Sequence, residues 1–277
     1  NLINVSFLIL NRVTNMRKPN GTEHSFSCKK HLFSQRVKQL MTKKNSYIDK
    51  DYTIINKLGA GCCGTVYKIN AVINNESLEL AQKTFITGKN HERTNDDYIE
   101  LYANWQVRKY ISENILTIAN DSFLFDCIER VPFLYTTKEQ DKIISKAKSI
   151  SKEEYKKVQI ASELKQGIFF EIKGNENLDD LINSKNYNKL TFDDKMKLFL
   201  DIVMGLTLLD KSGIIQRDLN CENIQIDINT KNAYLIDFGK AIHRDIIHLF
   251  DDDENEKNDY CSPFYYSSPP EACERGN

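Results

Sequence analysis

The chain has 277 residues, with 38 basic against 39 acidic and a formal net charge of -1. Hydrophobic residues make up 40% and charged residues 28%, a globular balance with enough length for two lobes. This composition excludes a disordered chain, and it lacks the positive excess of a wholesale nucleic-acid or anionic-membrane binder.

Seven cysteines cannot all pair within one chain, and no C-x-x-C or Cys/His cluster of zinc spacing occurs. Reduced thiols in a cytoplasmic protein are expected. No apolar run is long enough to span a bilayer, so no transmembrane segment is expected. Residues 1–10 are apolar but lack a basic n-region and a cleavage site, which argues against a signal peptide. Met16, followed by Arg17 and Lys18, is the first methionine. The expectation is a native start at Met16 or a chain that is a fragment.

Residues 1–50 read as a basic N-terminal extension. Leu32, Phe33, Val37, Leu40 and Met41 fall near helical spacing. That pattern predicts a helix packed on the domain behind it; a docking or membrane-surface helix is the competing reading. Residues 51–172 read as a first lobe. Tyr52, Ile54, Ile55 and Leu58 lead into Gly59, and Thr65, Val66, Tyr67, Lys68 and Ile69 follow Gly64. This predicts strand, glycine-rich turn, strand. Asn74-Asn75-Glu76 predicts a turn, 78–85 a third strand and 96–111 a helix. Residues 123–128 read as a short apolar strand, 136–165 as a Lys/Glu-rich insertion, and 168–172 as a buried strand.

Residues 173–277 read as a second lobe. Helices are expected over 178–184 and 191–211, with Thr191 as N-cap and Gly213 just past the end. Strands and turns follow as far as Gly239, then an acidic, irregular tail.

Four motifs carry chemistry. The first is Gly59-Ala60-Gly61-Cys62-Cys63-Gly64-Thr65-Val66. A dinucleotide fold would need a helix after the glycines, but a β-branched segment follows. A Walker loop would need Lys before Ser/Thr, and position 65 is Thr. A glycine-rich hairpin over nucleotide phosphates remains, against a plain hairpin turn. The second motif is Ala81-Gln82-Lys83. Ala81 and Lys83 share a strand face, where a small residue leaves room for a flat base and an ammonium can reach phosphates. A solvent-facing lysine is the bland alternative.

The third motif is Gln216-Arg217-Asp218-Leu219-Asn220-Cys221-Glu222-Asn223. Its Asp can orient a hydroxyl or accept a proton, and its final Asn can offer oxygen to a hard cation. The fourth is Asp237-Phe238-Gly239, a strand end with a carboxylate, a core-type aromatic and a permissive glycine.

Each motif is common, but the ordered set is not. With Pro270-Glu271, it resembles the eukaryotic-type protein kinase superfamily over residues 52–271. The resemblance implies an α+β, two-lobed fold: an antiparallel-sheet N-lobe with a helix αC, and a mainly helical C-lobe. Helices beyond Glu271 would be missing, so either a truncated product or a minimal kinase is expected. The implied function is transfer of the γ-phosphate of Mg-ATP to a protein Ser/Thr hydroxyl. A pseudokinase that binds nucleotide or acts as a scaffold is the alternative.

The resemblance also implies roles residue by residue. Lys83 would pair with the phosphates and with Glu100, Asp218 would be the catalytic base, and Asn223 and Asp237 would hold Mg²⁺. Leu58, Gly59, Gly61, Gly64, Val66 and Ala81 would cover the nucleotide. Phe170 would be the gatekeeper, with the Glu171 and Lys173 backbone reading the base. Three departures stand out. Gln216 replaces the usual His, Asn220 replaces the Lys that contacts the γ-phosphate, and Gln225 replaces an apolar adenine floor. Asp251-Asp252-Asp253-Glu254 either form a solvated loop or stand in for a phosphate near Arg217.

Overall fold

A computed structural model describes residues 25–60, 64–85, 96–146 and 167–244. Met16, the glycine-loop residues Gly61, Cys62 and Cys63, positions 147–165 of the expected 136–165 insertion, the acidic run at 251–254 and Pro270-Glu271 lie outside them.

A helix opens the described chain, α1 (Ser25–Lys44), followed by strands β1 (Ile48–Ala60), β2 (Gly64–Ile73) and β3 (Glu76–Phe85). β2 alternates in its second half: Ile69, Ala71 and Ile73 are buried while Asn70 and Val72 face out. That period-2 pattern fixes one face of the sheet on a core. Asn74 and Asn75 adopt positive φ of 53° and 66°, the backbone that closes a two-residue hairpin with the twist of its strands. β3 then runs antiparallel to β2, with Lys83 opposite Val66.

Next come α2 (Asp96–Glu113), α3 (Ile115–Asn120), α4 (Ser122–Ile128), β4 (Leu134–Tyr135) and α5 (Lys138–Lys146). The expected strand at 123–128 is therefore a helix. Asp121 explains why: its side chain accepts the N–H groups of Phe123 at 2.9 Å and Leu124 at 3.1 Å, satisfying orphan donors of a helix start. The strand that completes the sheet lies later, at β4. β5 (Ile168–Glu171) inserts between β3 and β4, giving an antiparallel sheet of order β1-β2-β3-β5-β4. Its core gathers Ile48, Ile69, Leu80, Phe133, Tyr135 and Phe169. Each such large apolar side chain contributes about 1.5–3 kcal/mol when fully buried.

The second lobe begins with β6 (Glu176–Asn177) and α6 (Leu178–Asn183), then α7 (Phe192–Lys211). Thr191 and Asp194 form a capping box at the start of α7. Gly213 ends it with φ of +76°, and a Cβ there would lie 2.7 Å from the His243 ring. Glycine is thus required by both the backbone and its neighbour.

The chain continues through β7 (Ile214–Ile215), the single turn Cys221–Asn223, β8 (Ile224–Asp227), β9 (Asn232–Leu235) and β10 (Ile242–His243). β6, β8 and β9 form one small sheet, and β7 pairs with β10. A second core joins α2, α3, α4 and α7 to β8 and β9, with Ile118, Leu208, Leu209, Leu235 and Phe238 nearly inaccessible. Leu40 of α1 belongs to the same core, with Phe33 and Val37 packed against it, while Leu32 and Met41 are exposed. The architecture is α+β and protein-kinase-like: an antiparallel sheet with a helix on it, above a mainly helical lobe. Among the described residues no helix is long and apolar enough to cross a membrane.

Candidate active site

Between the sheet and the helical lobe lies a cavity of about 420 Å³. Leu58, Gly59, Gly64 and Val66 come to it from β1 and β2, and Ala81 and Lys83 from β3. Glu100 enters from α2, Phe170 and Glu171 from the end of β5, and Lys173 from the connection after it. Asp237 closes it from the segment after β9. Residues distant in sequence thus converge, as small-molecule pockets between lobes require. Gly61 lies outside the described residues. Gln225 lines the cavity together with the apolar Leu235.

Lys83 is the electrostatic centre. Its Nζ lies 2.7 Å from Glu100 Oε2 and 3.2 Å from Asp237 Oδ1. Burial alone would disfavour its charge, but the two carboxylates overcome this and raise its pKa above the ordinary lysine value. Lys83 therefore stays an ammonium at any physiological pH. Glu100 has a side chain only 4% exposed, so the pair holds α2 against the sheet in one register.

Asp218 and Asn223 are not lining residues of the cavity. They sit beside it in the loop between β7 and β8. Asn223 Nδ2 donates to the Asp218 carbonyl at 2.9 Å and to its Oδ2 at 3.2 Å. Asn220 folds the loop: its Oδ1 accepts the N–H groups of Glu222 and Asn223, and its Nδ2 reaches Asp218 Oδ1 at 3.3 Å. Gln216 ties this loop to the segment that carries Asp237. Its Oε1 accepts the Asp218 N–H at 3.0 Å, and its Nε2 donates to the carbonyls of Asp218 and Asp237.

Two non-glycine residues here have left-handed backbones, Arg217 with φ of 60° and Asp237 with φ of 56°. Such conformations cost about 1–3 kcal/mol and persist only when the surroundings impose them. Here the surroundings are visible. Arg217 Nε donates to the Lys240 carbonyl at 2.6 Å, and the Gly239 N–H donates to Asp237 Oδ1 at 3.2 Å. Phe238, 1% exposed, anchors the turn in the lower core. Lys240 Nζ then lies 3.2 Å from Asp218 Oδ2.

The donor set suits a hard divalent cation. Asp237 offers carboxylate oxygen and Asn223 an amide oxygen. Among the described residues no group of three or more His, Cys, Asp and Glu gathers to cage a metal alone. Magnesium characteristically takes one or two protein oxygens and completes its shell with phosphates and water, which matches this sparse set.

Behind the connection after β5 lies an ionic cluster that no sequence pattern announces. Lys43 of α1 lies 2.8 Å from Glu171 Oε1 and 3.5 Å from Glu129. Lys173 lies 3.3 Å from both carboxylates. The Glu171 N–H meanwhile bonds the Phe133 carbonyl at 3.1 Å. Gly174, with φ of +71°, follows; a Cβ there would lie 3.0 Å from the Ile226 carbonyl oxygen. The chain crosses between lobes here in close backbone contact.

No protein-family model matches the chain. It is 22% identical over 211 residues to a Dictyostelium discoideum protein named probable serine/threonine-protein kinase fnkE. That match covers 75% of the chain and 13% of the relative. Proteins named probable serine/threonine-protein kinase KIN1 homolog are similar over 102 residues. The one from Enterocytozoon bieneusi is 31% identical and the one from Encephalitozoon cuniculi 29%. Each of these matches covers 37% of the chain and 16% of the relative. The chain thus spans roughly a sixth or less of the relatives it matches.

Proposed function

We propose that this chain, which belongs with the eukaryotic-type protein kinases, transfers the γ-phosphate of Mg-ATP to a protein Ser/Thr hydroxyl as a cytoplasmic enzyme. The observation that carries the reading is the Lys83 bridge between Glu100 and Asp237 at the wall of the inter-lobe cavity. A lysine held between a helix carboxylate and a metal-type carboxylate is a preorganised phosphate site. Val66 and Ala81 would cover the adenine, and the Glu171 and Lys173 backbone would read its edge. Asp218 would orient the acceptor hydroxyl. Asn223 and Asp237 would hold Mg²⁺, whose part is to neutralise phosphate charge.

A second reading, a pseudokinase, has one observation in its favour: Asn220, a neutral capping residue, stands on Asp218 where the resemblance leads one to expect lysine. Labelled ATP separates the two. With Mg²⁺ and a generic basic protein, transfer that vanishes in Asp218→Asn is expected, and phosphoserine or phosphothreonine should dominate. Binding of Mg-ATP without transfer would favour the pseudokinase. Neither binding nor transfer would overturn the kinase and the nucleotide-binding pseudokinase, and leave only a scaffold.

A further inference from the structure

Helix α2 carries a buried polar stripe. Glu100, Asn104 and Arg108 recur at four-residue spacing on one face, and they are 3%, 5% and 5% exposed. Charged side chains this deep are rare unless something holds them. Glu100 meets Lys83, and Asn104 Nδ2 donates to the Glu100 carbonyl at 2.8 Å. Arg108 is not among the residues that line the cavity.

The Arg108 guanidinium reaches three other segments instead. Its Nη2 donates to the carbonyls of Lys44 and Ser46, each at 3.3 Å, where α1 turns into β1. Its Nη1 donates to Thr136 Oγ1, just after β4, and lies 3.6 Å from Asp141 Oδ1 of α5. The guanidinium carbon sits 5.2 Å from the Tyr47 ring centre and 5.7 Å from that of Phe133. Asp141 is held in its turn by the Tyr47 hydroxyl at 2.9 Å and by Trp105 Nε1 at 3.1 Å.

This set of contacts is geometrically demanding. Backbone carbonyls cannot swing aside as side chains do, and the guanidinium donors are fixed in one plane. The contacts are therefore all met at one rotation and one height of α2. Arg108 lies two helical turns beyond Glu100, roughly 12 Å along the axis. A helix transmits such a constraint as a rod, so fixing Arg108 fixes the direction in which Glu100 faces.

We propose that Arg108 is a positioning residue for phosphoryl transfer: held by the α1–β1 turn, Thr136 and Asp141, it sets the rotation of α2 that brings Glu100 to Lys83. The proposal rests on the kinase reading above. It gives the N-terminal extension a task in the reaction, because Lys44 and Ser46, at the end of that extension, supply two of the acceptors. A buried arginine that only stabilises the fold is the competing explanation.

The experiment measures transfer, Mg-ATP affinity and adenosine affinity for the wild-type chain, Arg108→Met, Glu100→Gln and the double variant. Adenosine lacks the phosphates that Lys83 would hold, so its affinity reports an intact pocket. Arg108→Met should slow transfer about 10- to 100-fold, the scale of a misplacement of about 1 Å. Mg-ATP affinity should fall roughly 10-fold while adenosine affinity stays unchanged. In the Glu100→Gln background, Arg108→Met should lower neither rate nor Mg-ATP affinity any further, because the contact it serves is already weakened. Thr136→Val removes one acceptor from a side chain of nearly the same shape. It should show the same pattern at smaller size, and it carries the test if Arg108→Met fails to fold. An unchanged ratio of Mg-ATP to adenosine affinity, or losses that multiply independently of Glu100, would overturn the proposal and leave the kinase reading standing. A wild-type chain that transfers no phosphate would overturn that reading, and this proposal with it.

Discussion

The side-chain amide of Gln216 joins two loops that meet nowhere in sequence: it donates to the carbonyl of Asp237 at 3.4 Å while accepting the Asp218 N–H at 3.0 Å. Gln216 is 6% exposed, so these groups have little water to turn to. A glutamine carries both a donor and an acceptor, and this position uses both. The usual histidine is therefore not required here.

Removing that link should be felt in both stability and rate. Gln216→Ala leaves the partly buried Asp218 N–H unmet, at a cost of about 1 kcal/mol. Phosphoryl transfer should fall roughly 10-fold with little change in nucleotide affinity, and Gln216→His should keep most of the rate. Urea unfolding and steady-state kinetics check this; equal losses in the Ala and His variants would refute it.

Lys83→Met should abolish transfer and also destabilise the fold. It removes the ammonium that lies 2.7 Å from the Glu100 carboxylate, whose side chain is 4% exposed. Losing one partner of a buried pair costs about 3–5 kcal/mol. A combined Lys83→Met, Glu100→Leu chain should recover most of the stability and none of the activity. Thermal melts of the two variants give the answer, and a double variant no firmer than the single one would refute it.

The cluster of Lys43 and Glu171 predicts a pH window. Burial disfavours charge on both, yet each holds the other ionised. Lys43 and Lys173 keep the Glu171 carboxyl below its ordinary range, and Glu171 and Glu129 raise Lys43. A lowered carboxyl pKa stabilises above its unfolded value and loses that contribution as pH falls through the folded one. A raised lysine pKa stabilises below its unfolded value and loses the contribution in strong alkali. Lys43→Met should therefore lower stability by about 2 kcal/mol near pH 7, since the pair is largely buried. The difference from wild type should narrow below about pH 4.5. Urea titrations at pH 4 and pH 7 test it; a gap of equal size at both would count against the clamp. Weaker nucleotide affinity in the same variant is expected, because Glu171 and Lys173 line the cavity.

Cysteine chemistry should discriminate by burial. The Cys127 thiol is buried, and burial with the nearby Asp126 and Asp121 pushes its pKa up to about 12. Cys221 is partly exposed. Iodoacetamide at pH 8 should label Cys221 and spare Cys127 until the chain is unfolded, as peptide mass mapping would show. Early labelling of Cys127 would mean that the lower core opens easily.

Much of the candidate site is legible in the sequence because its residues sit in local patterns. Gly59 and Gly64 belong to one short glycine pattern, Ala81 and Lys83 alternate on one strand, and Asp218 and Asn223 share one loop. The helix at 122–128 is not legible in the sequence, because an apolar run that short fits a strand equally well and only the Asp121 cap marks it as helical. β4 has two residues and no period to detect.

Glu100 illustrates the boundary between sequence and tertiary structure. Sequence offers a glutamate on a predicted helix; only packing brings it 2.7 Å from Lys83. Lys43 and Lys240 gave no sequence signal at all. Their partners, Glu171 and Asp218, lie on other elements, and an ion pair leaves no periodic trace. The sequence by itself determined the strand–turn–strand of the first lobe, the long capped helix of the second and the order of the chemical motifs. Those features depend on backbone geometry and side-chain period, which act over a few residues. The tertiary structure alone decided which charges neutralise each other, because electrostatic contact depends on distance in space and on burial.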